Sequence, residues 1–472
     1  MIMKFKRQLQ QTHSPIDNSV YVERSLASSD DINHALQKAV TAQANWHHID
    51  LKERAAICYK MVDEFVANED EIANELCWMM GRPIKYARGE VAGVAERARY
   101  MIDVASDALA SIQLPDKIGF QRHIKRYIKR EALGTVFVVA PWNYPYLTAI
   151  NAIMPAIMAG NSVVLKHSAQ TPLCAEQLFN AFQKAGLPDG VFQYLHLSHA
   201  DTEAVIKDSR IDYVAFTGSV AGGAMVERAA SGRFIGVGLE LGGKDPAYVR
   251  ADANIDDAVA TCIDGAFFNS GQSCCGIERI YVDSRVFDEF LRKSVEIVKG
   301  YQLGRSDDEN TTLGPVVKAS AADFVRSQVQ DAISKGAIAH IDADDFPLDE
   351  VGTPYLAPQL LTNVNHQMRV MSEESFGPVV GIMKVDNDDE AIALMNDSEF
   401  GLTASVFTQD IDTAIAIGEQ LETGTFFVNR CDYLDPALAW TGVKNSGRGC
   451  TLSALGYESL TRPKSFHIKL SQ

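Results

Sequence analysis

Residues 134–166 read GTVFVVAPWNYPYLTAINAIMPAIMAGNSVVLK. Two β-branched runs, 134–140 and 162–166, bracket an apolar helical run over 146–158. Strands this apolar are buried, and strands joined through a helix form a parallel unit. The alternation continues. Thr171-Pro172 opens a helix that ends near Gly186, residues 191–197 form a strand, 204–208 a helical segment, and 212–216 a strand ending in Thr217-Gly218-Ser219. This pattern predicts a doubly wound parallel sheet, in which ligands bind beyond the carboxyl ends of the strands. Pro141-Trp142-Asn143, Lys166 and Gly218-Ser219 all fall at those ends.

Outward from this core, residues 30–112 read as amphipathic helices, the first capped by Asp30-Asp31 and others covering 55–66 and 72–80 before Gly81-Arg82-Pro83. Residues 243 to about 445 repeat the mixed pattern, with a helix over 255–268, a strand over 279–282 and a helix over 287–298. The basic stretch 120–130, flanked by Gly119 and Gly134, reads as an extended strand or hairpin leaving the body. Residues 465–470 alternate as a half-buried strand does. Two exposed strands need partners, so oligomerisation is expected.

The 472 residues exceed one compact core, so two or more domains are expected. A net charge of −17 gives no basic footprint for nucleic acid. Eight cysteines, with no CxxC pair and no regular framework, point to neither a metal site nor a disulfide scaffold, and fit a reduced, cytoplasmic chain. Residues 1–11 lack the apolar stretch of a secretory signal, and no apolar run is long enough to span a bilayer.

Cys274 follows a helix in a Gly-Gln turn, Gly271-Gln272-Ser273-Cys274, outside any apolar periodic segment. A free cysteine is more often a small buried hydrophobe, and that reading suits Cys275 better. Glu240 precedes Gly242-Gly243, which permit close approach of a ligand; alone, such a glutamate is usually a solvated charge. Thiol and carboxylate together can run a covalent two-step reaction, the thiolate attacking a carbonyl and the carboxylate later activating water. Asn143 could supply an amide donor to the resulting oxyanion, or simply form a turn. Lys244 reads as a structural ion-pair partner. The glycine-rich turn 218–223 suits a phosphate but does not match Gly-x-Gly-x-x-Gly.

Taken in order, Pro141-Trp142-Asn143, Val164-Leu165-Lys166, Phe216-Thr217-Gly218-Ser219, Glu240-Leu241-Gly242-Gly243-Lys244, Gly271-Gln272-Ser273-Cys274 and Glu374-Ser375-Phe376-Gly377-Pro378 make the chain resemble the aldehyde dehydrogenase superfamily over nearly its whole length. The resemblance implies an α/β fold: a Rossmann-like cofactor-binding domain (1–112 and 134–241), a second α/β catalytic domain (242–445), and a small β oligomerisation element (113–133 and 446–472). It implies Cys274 as nucleophile, Glu240 as general base and Asn143 as oxyanion amide. Lys166 and Glu374 would hold the ribose hydroxyls of a nicotinamide cofactor. Gly218 and Ser219 would meet the pyrophosphate, and Trp142 and Phe376 would pack around the cofactor. A homodimer or homotetramer is expected.

Two departures from the family pattern stand out. The acidic residue that many NAD-preferring members carry three positions after the strand-end lysine is Ala169, so a 2′-phosphate meets no repulsion and either NAD or NADP is expected. His167 and Ser168 could contact that phosphate or be surface groups. The usual Pro-Phe-Gly-Gly segment is Ala439-Trp440-Thr441-Gly442, placing Trp440 in the substrate tunnel with Tyr144 and Leu434. Such a tunnel favours an uncharged aliphatic or aromatic aldehyde. Arg430, if it faced the tunnel, would favour a carboxylate-bearing semialdehyde. Rival readings are a CoA-dependent acylating relative, which would have little need of Glu240, and a non-catalytic binding protein on the same fold.

Overall fold

Residues 8–114 and 124–470 are described by a computed structural model. Residues 120–123 of the basic stretch, and 1–7 of the N-terminus, lie outside them.

The first sheet has six strands in the spatial order Gly447–Arg448, Gly236–Glu240, Tyr213–Thr217, Thr135–Val139, Ser162–Lys166, Phe192–Tyr194. All pairs are parallel except the first, which runs antiparallel with Gly447 opposite Glu240. The helix Pro145–Ala159 that joins the two central strands is buried on nearly every face, which explains its unbroken apolar run. It packs between this sheet and the long helix Ile84–Ala108.

The second sheet has seven strands: Ile338–Ala339, Gln359–Thr362, Val379–Val385, Ile277–Asp283, Asp245–Val249, Thr403–Phe407, Thr425–Val428. It is parallel apart from the two-residue edge strand. Each sheet carries its own apolar cores. A third, three-stranded antiparallel sheet pairs Ile124–Ala132 with Thr461–Lys469 and with Ile112–Gln113.

Several boundaries differ from the sequence reading. The first helix, Ser29–Trp46, is capped by Ser28, with Asp31 closing a reciprocal capping box. The helix His199–Lys207 starts well before residue 204, because Ser198 caps a first turn of polar residues that carries no apolar period. Residues 446–460 do not belong to the small sheet: Gly447–Arg448 extends the first sheet and Ala454–Leu460 packs on the helices Ile84–Ala108 and Pro145–Ala159. Among the described residues no helix is long and apolar enough to cross a membrane.

Candidate active site

Three consecutive residues of left-handed backbone, Asn269 (φ 53°), Ser270 (φ 56°) and Gly271 (φ 71°), turn the chain out of the helix Ile255–Phe267 and into the cysteine loop. Left-handed non-glycine residues are uncommon, and here hydrogen bonds hold them. Asn269 Nδ2 donates to the carbonyls of Asn143 and Gln272, both at 3.2 Å, and Ser270 Oγ donates to Gly314 O at 2.7 Å. Gln272 Oε1 accepts from Val317 N at 2.7 Å. At Gly271 an added Cβ would collide with the Gly377 carbonyl, so the glycine is required twice over.

This framing leaves Cys274 half-buried on the wall of a cavity of about 730 Å³. Tyr144 and Leu434 line the same cavity. Trp440 does not: it is 4% exposed, bridges backbone to backbone with Thr451, and sits in the apolar core, which corrects its assignment to the substrate tunnel. Arg430 is exposed and stacks over the Tyr433 ring at 3.7 Å, so it too stands apart from the lining. The Cys275 thiol, hydrogen-bonded with Cys274 and buried, is pushed well above the usual thiol range. It donates to Asp432 Oδ1 at 2.8 Å.

Asn143, 5% exposed, presents its amide beside this loop, Nδ2 reaching Gln272 O at 3.3 Å. Its carbonyl is held by Arg82 Nη2 at 2.6 Å. Arg82 forms a buried ion pair with Glu90, and Glu90 Oε1 accepts the N–H groups of Tyr146 and Leu147 at 2.8 and 3.3 Å. A buried carboxylate thereby caps the helix that follows Asn143. The Cys274 backbone N–H has no acceptor among the described residues.

Glu240 ends its strand next to Gly242-Gly243. A Cβ at Gly243 would strike the carbonyl of Cys274, so the bare backbone lets the glutamate turn and the cysteine loop pack together. Burial pushes the Glu240 carboxyl up; the hydroxyls of Thr451 and Thr217 and the charge of Arg97 pull the other way. Glu240, Thr217 and Thr451 line a small cavity of about 20 Å³. A water needs roughly 10–15 Å³ measured this way.

A further cavity, about 480 Å³, is lined by Trp142, Lys166, Ser168 and Ala169. Lys166 is 8% exposed and has no carboxylate within ion-pair distance among the described residues; burial lowers its pKa. Gly218 and Ser219 open the helix Val220–Ala230, with Ser219 Oγ accepting from Gly222 N at 3.2 Å, and are not among that cavity's lining. Glu374 reaches the Gly243 N–H at 3.0 Å, where a Cβ on Gly242 would displace it. Burial raises its carboxyl to about 7. The Ser375 and Phe376 N–H groups donate to Glu278, the buried partner of Lys244, at 2.8 and 2.9 Å. Phe376 meets Trp142 edge-on at 5.6 Å. A buried cation without an anionic partner, a polar carboxyl and two facing aromatics fit a nicotinamide dinucleotide. His167 is neither a surface group nor a phosphate contact. It is 3% exposed, its Nε2 donates to Pro145 O at 3.1 Å, its Nδ1 accepts from Ser168 N at 2.9 Å, and burial holds it neutral with a pKa of about 3.

Comparison with known proteins decides the family. The aldehyde dehydrogenase family model matches residues 3–466. The chain belongs to the aldehyde dehydrogenase family. It is 34% identical to an aldehyde dehydrogenase of Paenarthrobacter nicotinovorans over 92% of this chain and 94% of that one. It is 32% identical to the succinate-semialdehyde dehydrogenase [NADP(+)] of Mycobacterium avium, over 94% of each. The crystal structure of succinic semialdehyde dehydrogenase from Streptococcus pyogenes in complex with NADP+ superposes with a TM-score of 0.92 at 29% identity, covering 98% and 100% of the chains. This aldehyde dehydrogenase uses NAD or NADP and an aldehyde substrate.

The sequence reading passed over Arg97, Asp432 and the two threonines on Glu240. Glu90 and Arg97 lie two helical turns apart among Val91, Val94, Ala98 and Met101, on the apolar face of their helix. Charges on an apolar face were a readable signal for both. Asp432 and Thr451 come from distant loops and carried none.

Proposed function

We propose that Cys274 is the nucleophile, Glu240 the general base and Asn143 the oxyanion donor in oxidation of an aldehyde to a carboxylic acid. The observation that supports this most is the pairing of a cavity-lining Cys274 with a Glu240 turn kept in contact with it by Gly243. The Cys274 thiolate attacks the carbonyl carbon and forms a thiohemiacetal. Its oxyanion takes hydrogen bonds from the Asn143 amide and the Cys274 N–H, donors that the surrounding loop orients in advance. Trp142, Lys166, Ser168, Gly218, Ser219, Glu374 and Phe376 would hold the cofactor, whose nicotinamide when bound accepts hydride from the captured carbon. Loss of that hydride leaves a thioester on Cys274. Glu240 then takes a proton from water, the hydroxide adds to the thioester carbon, the C–S bond breaks, and the thiolate is restored. The cavity beside Glu240, whose lining does not include Cys274, has room for one water.

Mass spectrometry of enzyme quenched within one turnover tests the reading. An acyl adduct on Cys274 is expected, and its absence with both reactants present overturns the assignment. A retained, buried Glu240 counts against transfer to CoA and against a non-catalytic role.

For the substrate, an uncharged aliphatic or aromatic aldehyde suits the Tyr144, Leu147 and Leu434 walls. A semialdehyde is favoured by the names of the Mycobacterium and Streptococcus relatives. We read the sheet of Ile124–Ala132 and Thr461–Lys469 as the contact of a homodimer or homotetramer, since Thr461–Lys469 is an edge strand with Ile468 and Leu470 exposed beside it. Light scattering on the eluting protein measures this directly. Eight free cysteines support a reducing, cytoplasmic location.

A further inference from the structure

Arg97 is 9% exposed and lines the same 730 Å³ cavity as Cys274. Its side-chain hydrogen bonds all come from one nitrogen: Nη1 donates to Leu147 O at 3.2 Å and to Asn151 Oδ1 at 3.3 Å. Among the described residues it has no carboxylate within ion-pair distance. A guanidinium has five N–H donors and stays charged. Burying such a charge without an anion is costly, so buried arginines are normally paired. The other buried arginines near the site obey this or bond several carbonyls: Arg82 pairs with Glu90, and Arg279 reaches the Lys244, Leu394 and Met395 carbonyls. Among the described residues Arg97 and Arg54 are the buried arginines with neither a carboxylate partner nor such a set of backbone carbonyls, and of the two Arg97 lines the cavity.

The anchors of Arg97 fix it relative to the chemistry. Leu147 and Asn151 sit on the helix Pro145–Ala159, directly after Asn143. Its guanidinium is thus tied to the helix that carries the proposed oxyanion amide at its head.

The cavity is also lined by the carboxyl groups of Glu96, Asp264 and Asp432. Asp432 accepts from Cys275 and Ser273. Glu96 accepts from the Tyr433 hydroxyl at 2.9 Å. Burial raises Asp264 and Asp432, the latter to about 6.

We propose that Arg97 is a specificity-determining residue: it binds the carboxylate of a short ω-oxo acid whose aldehyde end lies at Cys274. This rests on the reading of Cys274 as nucleophile. It replaces Arg430, which is exposed and absent from the cavity lining, as the cation that would select a semialdehyde.

The test is a comparison of kcat/KM for 4-oxobutanoate, 5-oxopentanoate, butanal and 4-aminobutanal with the full-length enzyme and saturating cofactor. The native enzyme is expected to prefer an oxo acid over butanal, with 4-aminobutanal last. Arg97→Gln should lower the oxo acid to butanal selectivity by at least about 30-fold, the effect of truncating one partner of a buried charge pair, chiefly through KM. Arg97→Lys should recover part of it. A native preference for butanal or 4-aminobutanal overturns the proposal, whether or not the variants fold. So does an equal fall for oxo acid and butanal in Arg97→Gln, which a merely structural arginine would give. Failure to oxidise any of the four without an adduct on Cys274 instead strikes at the nucleophile assignment.

Discussion

Thr451 Oγ1 donates a 2.6 Å hydrogen bond to Glu240 Oε1, while Thr217 Oγ1 approaches Oε2 at 3.3 Å. Both hydroxyls favour the ionised carboxylate and oppose the burial that raises its pKa. Hydrogen bonds to a charged group are worth about 1.5–3 kcal/mol. Thr451→Val removes the shorter one, so the Glu240 carboxyl should rise further. A base works only when ionised, so the acid limb of kcat should move to higher pH. Turnover should fall severalfold at mildly acidic pH and recover in alkali. A pH–rate profile with an unmoved acid limb contradicts this role for Thr451.

Glu240→Gln keeps the shape of the site and removes the proposed base. Attack and oxidation at Cys274 do not need that carboxylate, whereas thioester hydrolysis does. One enzyme equivalent of reduced cofactor should appear rapidly, followed by a steady rate lower by about 10²–10⁴. Stopped-flow absorbance reads both phases. An unchanged steady rate would show that the base lies elsewhere.

Asn143→Ala should cost about 10²–10³ in kcat, the typical effect of deleting one oxyanion donor. Among the described residues its amide makes only one long protein hydrogen bond, at 3.3 Å, so little else is lost with it. Cofactor binding followed by fluorescence should persist. A kcat within a few fold of the native enzyme removes Asn143 from the mechanism.

The Arg82–Glu90 pair should behave as a structural support for the Asn143 loop. Both side chains are almost wholly buried, and Arg82 also holds the Asn143 carbonyl. Arg82→Met leaves the Glu90 charge uncompensated, and breaking such a pair costs about 3–5 kcal/mol. Chemical denaturation should show that loss. Glu90→Gln combined with Arg82→Met removes both charges and should recover part of it. A change under about 1 kcal/mol in the single variant refutes the pairing argument.

What the sequence conveyed follows from which forces act locally. The strands Thr135–Val139 and Ser162–Lys166 and the helix between them are buried on all sides, so burial wrote itself directly as composition. Cys274, Glu240 and Asn143 stood out as candidates because each sits in a short motif with glycine or proline beside it. Trp440 was misread because an aromatic at a familiar position says nothing of which side of the loop it faces; here the bridge to Thr451 turns it into the core. His167 was read as either a phosphate contact or a surface group because a single polar residue after a strand looks like a loop, yet Pro145 O and Thr171 enclose it. Arg97 left a readable trace, a charge on the apolar face of its helix, but nothing in the sequence says which cavity that face lines. Its partners, Leu147 O and Asn151, lie about fifty residues away and only the fold brings them close.

Ala169 should set the choice between the two cofactors. It is exposed and lines the 480 Å³ cavity with Lys166 and Ser168, so a longer side chain there has room to point at a bound adenosine ribose. Its backbone carbonyl is pinned by the Thr12 hydroxyl at 2.8 Å, a bond that a side-chain substitution leaves intact. A carboxylate at this place would accept hydrogen bonds from ribose hydroxyls and repel a 2′-phosphate, so the discrimination comes from an added repulsion. Ala169→Glu should therefore lower the NADP to NAD ratio of kcat/KM by about tenfold or more, about 1.4 kcal/mol in differential binding. The effect should shrink at high ionic strength, because an exposed charge pair is screened. Steady-state kinetics with each cofactor, at low and high salt, supply the ratio. If it stays constant under both conditions, the adenosine ribose does not lie against this strand end, and the cofactor pocket has been assigned to the wrong cavity.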